Sequence, residues 1–267
     1  MFSAASGMLA QWRALDVTSN NLANVNTTGF KRDEVLFKAF PERLMARFYD
    51  NVVKIPIGSV DIAPMVGKMG TGVEVNDVIT RFEKRDGEAI IPFKKTDHKF
   101  DLALDGEGFF VVNTAQGEMY TRDGAFTVDK SGILVDKRGF TVLGENGPIK
   151  VGQADFKVDK FGNVAIKNDL ATEWQKVDQL KLVDFYDKRG LIKKGQNFFM
   201  YTKEAGEINK PKNLNILQGY LEGSNVNPVI EMTKMIQIQR SYEACQKAVQ
   251  AEDQLLGKAA NDIVRMA

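Results

Sequence analysis

The sequence predicts an α+β fold: long N- and C-terminal helices pairing as an α-helical coiled-coil domain, with a central all-β domain between them. Three observations carry this. Twenty of the 23 glycines fall between Gly58 and Gly223, so both ends are poor in the residue that punctuates turns and weakens helices. Apolar residues recur every seven positions at each end. The middle breaks into short apolar or alternating runs separated by glycine turns, at a spacing of roughly 8–12 residues. The chain accordingly divides into an N-terminal helical arm (1–33), an extended linker region (34–80), a central β-rich domain (81–223) and a C-terminal helical arm (224–267).

In the N-terminal arm, Met8, Leu15 and Leu22 form one heptad row, with Ala5 and Trp12 on the companion row and Ser19 as its polar exception. The helix is predicted to end near Asn24-Val25-Asn26-Thr27-Thr28-Gly29, where a glycine suits a left-handed cap. Gly29 then directs the chain out of the helical layer. Within 34–80, Glu34 to Asn51 reads as a short helix broken by Pro41, and Ile55 to Gly72 as extended.

The central strands begin with the alternating Phe100-Asp101-Leu102-Ala103-Leu104, the turn Asp105-Gly106-Glu107-Gly108 and the apolar run Phe109-Phe110-Val111-Val112. Tyr120 to Val128 with its Asp123-Gly124 turn, Lys130 to Val135, Arg138 to Gly144 and Phe161 to Ile166 continue the pattern. In the C-terminal arm, Met235, Tyr242, Val249, Leu256 and Ile263 lie seven apart. Ile238, Cys245, Ala259 and Met266 stand three residues later, and Glu252 interrupts that second row. Asn227 is suited to cap this helix, Pro228 to its first position and Glu231 to the dipole of its first turn.

A helix over 228–265 would be about 57 Å long. Burying its five large seam residues is worth roughly 8–15 kcal/mol, which a lone helix forgoes. The seams either cover the chain's own middle or pair with each other and with neighbouring copies, and heptads at both ends favour pairing.

Composition excludes most other chemistry. The 36 Lys and Arg nearly balance 35 Asp and Glu, so no basic excess points to nucleic acid or a membrane surface. No apolar run is long enough for direct membrane insertion. One cysteine, Cys245, and one histidine, His98, leave no disulfide and no Cys/His zinc site. No catalytic, metal-binding or cofactor-binding set stands out, and no cofactor is expected. Gly70-Thr71-Gly72-Val73-Glu74-Val75 precedes a strand rather than opening a helix, so it lacks the geometry of a dinucleotide loop. Asp101 and Asp105 would share a strand face, where solvent-facing charges outweigh a catalytic pair. His98 reads as a surface turn residue, and Cys245 as a small apolar group on its heptad row.

Four ordered blocks resemble the flagellar rod and hook protein family. They are Ser3-Ala4-Ala5-Ser6-Gly7-Met8-Leu9-Ala10-Gln11; Leu22-Ala23-Asn24-Val25-Asn26-Thr27-Thr28-Gly29-Phe30-Lys31-Arg32; the central pair Leu102 to Phe110 and Tyr120 to Phe126; and Leu221-Glu222-Gly223-Ser224-Asn225-Val226-Asn227-Pro228-Val229. Glu231-Met232 and Gln239-Arg240-Ser241-Tyr242-Glu243-Ala244 extend the last block.

The resemblance implies a structural, non-enzymatic subunit of the basal-body rod that assembles helically through its terminal helices into the axial drive shaft. Its partners would be copies of itself, other rod and hook subunits and the flagellar type III export apparatus. Its place would be the periplasm-spanning rod, reached without a cleavable signal peptide. The assembly interface is expected at Met8, Trp12, Leu15, Leu22, Met235, Ile238, Tyr242, Val249, Leu256 and Ile263. The family motif positions are Asn24, Asn26, Thr28, Gly29, Phe30, Ser224, Asn225, Val226 and Asn227. A hook or hook-junction component of the same axial family, and a cell-wall peptidoglycan hydrolase, are the alternative readings.

Overall fold

The computed structural model describes residues 2–40, 43–46, 52–55, 58–61, 65–82, 92–152, 154–167, 173–195, 197–211 and 214–266. The chain forms two compact units. One comprises Met1–Asn20, Glu34–Ile79 and Val229–Ala267, and the other comprises Asn21–Asp33 and Thr80–Pro228.

Helix α1 (Phe2–Ala23) ends one residue before Asn24, in a series of tight turns: the Val25 amide donates to the Leu22 carbonyl and the Thr27 amide to that of Asn24. Gly29 then takes a left-handed φ of +67°. Helix α2 (Pro228–Met266) starts at its proline and runs 39 residues, with Glu231 in its first turn accepting from Lys234 Nζ at 3.2 Å.

The described residues contain two α-helices, one at each end, and they do not form the long paired coiled coil that the heptads predict. The reason lies in length and in which face is covered. At 22 residues α1 cannot match α2. Its buried positions are Ser6, Ala10, Ala14, Val17, Thr18 and Asn21, small or polar groups off the Met8 row. Ser6 Oγ accepts from the Val73 amide, and the Phe2 ring lies 5.8 Å from that of Phe40, so this face of α1 meets the extended segment. The helices approach one another near Gly7, where an added Cβ would lie 3.2 Å from Cys245 Sγ.

The helix expected over 34–51 is also absent: the described residues there form the strands Asp33–Ala39 and Arg43–Ala46. Asp33–Ala39 pairs with Val73–Thr80, Arg43–Ala46 with Met65–Met69, and Val52–Ile55 with Gly58–Asp61. The three pairings are nested, which is the connectivity of one long antiparallel ribbon. Partners far along the chain settle this conformation, and local helix propensity loses to them.

In the other unit, Phe109–Thr114 is the organising strand. It pairs antiparallel with Gly117–Thr121, Thr141–Gly144 and Leu182–Phe185. Phe110 and Val112 enter one apolar cluster with Leu102, Leu104, Phe126, Leu134 and Ile149. Phe109 and Val111 enter a second with Tyr120, Phe185 and Phe199. Both faces of the strand are buried, which is why its sequence is a continuous apolar run rather than an alternation.

Four turns repeat one recipe, Asp-Lys-X-Gly, at Asp129, Asp136, Asp159 and Asp187. In each the glycine amide donates to the aspartate carbonyl, at 2.8, 3.0, 3.0 and 3.3 Å. The Asp136, Asp159 and Asp187 side chains also accept from the amide two residues on, the Asx arrangement that lets aspartate start a turn.

Candidate assembly site

The second and the last motif blocks, Leu22–Arg32 and Leu221–Val229, meet in the unit that holds the central strands. Strand Tyr220–Glu222, paired with Phe93–Lys95, carries Glu222 into the interior, where it is 2% exposed. Its carboxylate accepts from Lys31 Nζ on one oxygen and from Arg122 Nη1 at 3.2 Å on the other. Its carbonyl accepts from the Gly29 amide at 2.8 Å. Arg122 continues to the Gly106 carbonyl at 2.7 Å and lies over the Phe109 ring. Burial pulls the Lys31 ammonium below the ordinary lysine value, and the Glu222 carboxylate opposes that pull. Two buried cations thus share one buried carboxylate, an arrangement that is costly to break from one side.

Around this knot the motif residues fall into place. Thr28 Oγ1 donates to Asp123 at 2.7 Å, and the Thr28 carbonyl accepts from Asn197 Nδ2 at 2.7 Å. Gly29 passes so close to the chain that a Cβ there would lie 2.5 Å from the Arg122 carbonyl carbon and the Asp123 nitrogen. Phe30 is buried beneath Lys193, whose Nζ stands 3.8 Å from the ring centroid and donates to the Lys31 carbonyl at 2.8 Å and to Asp33 at 3.0 Å. Burial lowers the Lys193 pKa, with Asp33 opposing. Asn21 and Asp33 exchange side-chain and backbone hydrogen bonds at 2.8 and 2.9 Å, tying the last turn of α1 to the start of the ribbon.

Asn225 donates through its amide to the Phe30 carbonyl at 3.4 Å. Its side chain accepts from the Arg32 amide at 2.7 Å and donates to the Arg81 carbonyl at 2.8 Å. Ser224 and Val226 are buried, with Ser224 Oγ accepting from the Val226 amide. Asn24 accepts locally from Thr27 Oγ1, while Asn26 and Asn227 are exposed.

The heptad residues lie elsewhere. Met8, Leu15 and Leu22 are half-buried on α1 and Trp12 is 59% exposed. Met235, Ile238, Tyr242 and Val249 are half-buried on α2, Leu256 is exposed, and the side chain of Ile263 lies outside the described residues. Further apolar groups stand exposed on the same helices: Phe2 and Leu9 on α1, and Val229, Met232, Ile236 and Leu255 on α2.

Of the residues considered for chemistry, Asp101 is buried with His98 Nδ1 3.6 Å away, and Asp105 is exposed opposite Asn215. The two aspartates are not brought together. A cavity of about 410 Å³ opens beside the knot, lined by Lys31, Phe82, Phe93, Arg122, Lys188 and Glu222 among others. What this arrangement does chemically is clamp: charge-assisted hydrogen bonds pin backbone segments together.

Sequence reasoning did not single out Lys31, Arg122, Glu222 or Lys193. The available signal was the placement of Lys31 and Glu222 next to buried apolar motif residues, Phe30 and Leu221.

Three family profiles match the chain: "Flagella basal body rod protein" over residues 1–31, "Flagellar hook protein FlgE/F/G D1 domain" over residues 103–169, and "Flagellar basal body rod FlgEFG protein C-terminal" over residues 217–262. The chain is 34% identical to the flagellar basal-body rod protein FlgG of Buchnera aphidicola subsp. Schizaphis graminum, over 97% of each chain. It is 33% identical to that of Borreliella burgdorferi over 98% of this chain and 97% of the relative. With the flagellar basal-body rod protein FlgF of Caulobacter vibrioides it shares 34% identity over 92% of this chain and 90% of the relative.

Proposed function

The chain belongs to the flagellar basal-body rod protein family and is a structural subunit of the rod, and on that premise we propose how it assembles. Copies join helically through surfaces carried by the two terminal arms. Each arm's apolar residues are covered by neighbouring copies and by other rod and hook subunits, rather than by one partner helix of the same chain.

The observation that supports this is α2 itself. It runs 39 residues and leaves Val229 at 70%, Ile236 at 53%, Leu255 at 65% and Leu256 at 57% exposure. Burying such side chains is worth about 1.5–3 kcal/mol each, so a partner that covers the arm gains several such contributions. A subunit that forms contacts which do not close on themselves builds an open helix.

Within this reading the assembly interface comprises Met8, Trp12, Leu15 and Leu22 on one arm and Met235, Ile238, Tyr242, Val249, Leu256 and Ile263 on the other. Residues 34–80 link the arms to the central domain, 81–223. The chain travels through the flagellar type III export apparatus, stands in the periplasm-spanning part of the basal body and carries no enzymatic activity.

The test is complementation of a deletion strain with Leu256→Asp or Val249→Asp, followed by electron microscopy of basal bodies. Loss of rods with a normally melting purified chain is expected. Wild-type swimming by both variants would remove the arms from the interface.

A further inference from the structure

We propose that Asn225 is a positioning residue for assembly: one side chain sets where the segments leading to the ribbon and to α2 leave the central unit. The inference rests on the reading that the arms make the contacts between copies.

The chain crosses the bounds of this unit at four places, before Asn21, after Asp33, before Thr80 and after Pro228. Asn225 bonds to the segments at the second and third and stands three residues before the fourth. Its amide reaches the Phe30 carbonyl, its Oδ1 the Arg32 amide at 2.7 Å and its Nδ2 the Arg81 carbonyl at 2.8 Å. The Arg81 amide donates in turn to the Arg32 carbonyl at 2.8 Å, closing a ring of backbone and side-chain bonds across the departing strands. Three residues later Pro228 begins α2.

The amide is the group this geometry demands, because a carboxylate cannot donate to Arg81 and a hydroxyl cannot supply donor and acceptor in one plane. Asn225 belongs to neither apolar cluster, and of the segments it ties only Phe82, next to Arg81, packs against one of them. Its loss therefore loosens the exits more than the core. Small errors in exit direction grow along a helix about 58 Å long, at 1.5 Å per residue.

The experiment compares full-length Asn225→Asp and Asn225→Gln with Val164→Ala, a core substitution in the three-stranded sheet Asp155–Val158, Asn163–Lys167 and Gln175–Gln179. Gln keeps both polar groups but moves them by one methylene, so it misdirects the exits even where Asp proves poorly folded. Melting of each purified chain and rods per basal body in a complemented deletion strain are measured together. The expected result is at least a tenfold loss of rods for the Asn225 variants at a melting temperature equal to or above that of Val164→Ala, which still builds rods. Rod yield that follows melting temperature alike at both positions would make Asn225 merely structural and overturn the proposal. A Leu255→Asp, Leu256→Asp double variant serves as a separate arm: rods built normally by it would sink the reading of the arms, whatever Asn225 does.

Discussion

Replacing Gly29 by valine attacks the knot at its tightest approach. The glycine has φ +67°, and a non-glycine residue held there costs roughly 1–3 kcal/mol, most for a β-branched side chain. A Cβ at this position would also stand 2.5 Å from the Arg122 and Asp123 backbone, a separation that the chain must widen by moving. That movement breaks the Gly29 amide bond to Glu222 and leaves a buried carbonyl unpaired, at about 1–3 kcal/mol. Together the loss is roughly 2–6 kcal/mol, a large share of the 5–15 kcal/mol that holds a domain together.

Gly195→Val is the internal reference. Gly195 has φ +57°, but a Cβ there meets nothing within 4 Å, so only the backbone strain is felt. Scanning calorimetry of the purified chains should show Gly29→Val melting lower than Gly195→Val by about 2–12 °C, given 2–4 °C per kcal/mol for a unit of this size. Equal melting of the two variants would refute the close-approach argument.

Glu222→Gln leaves Lys31 and Arg122 buried without a countercharge. A loss of about 3–5 kcal/mol by urea titration is expected, and under 1 kcal/mol would mean the knot is solvated. Gly7→Cys should form an intramolecular disulfide with Cys245 on mild oxidation, because its Cβ would lie 3.2 Å from that sulfur, and a monomer band unshifted on a non-reducing gel counts against the contact. Lys193 gives a pH signature. Its folded pKa is depressed by burial, so between that value and the ordinary 10.5 the unfolded chain binds more protons, and its contribution to stability rises with pH across that window. Melting followed from pH 8 to 10 should show that rise reduced in Lys193→Met, and an unchanged slope would exclude Lys193 as its source.

The sequence made the termini of the arms legible, because caps and breakers act locally. Pro228 opens α2 as expected, whereas α1 ends at Ala23, six residues before Gly29, whose left-handed turn carries its amide to Glu222 rather than to the helix. Phe109 to Val112 announced a buried strand for the same local reason. The heptads were legible only in part. A spacing of seven says which residues share a face, not what covers that face, and α1 turned its small residues inward instead. Within 34–51, the described residues Glu34–Ala39 and Arg43–Ala46 are strands because they pair with Val73–Thr80 and Met65–Met69, partners that no local feature reveals. Lys31 and Glu222 look like any surface charges until strands from opposite ends of the chain bring them together. The four Asp-Lys-X-Gly turns, by contrast, are a local repeat written in the sequence itself.

Lys31 and Glu222 are 191 residues apart in sequence. Closing a loop that long costs about 0.6 kcal/mol for each doubling of length and slows folding, because the entropy is lost before the contact rewards it. The chain is made from its N-terminus, so Lys31 is complete long before its partner exists. The knot is therefore a clock as well as a clamp. The exit of the first arm stays untied until nearly the whole sequence is present, and a truncated chain that stops short of Glu222 cannot set it.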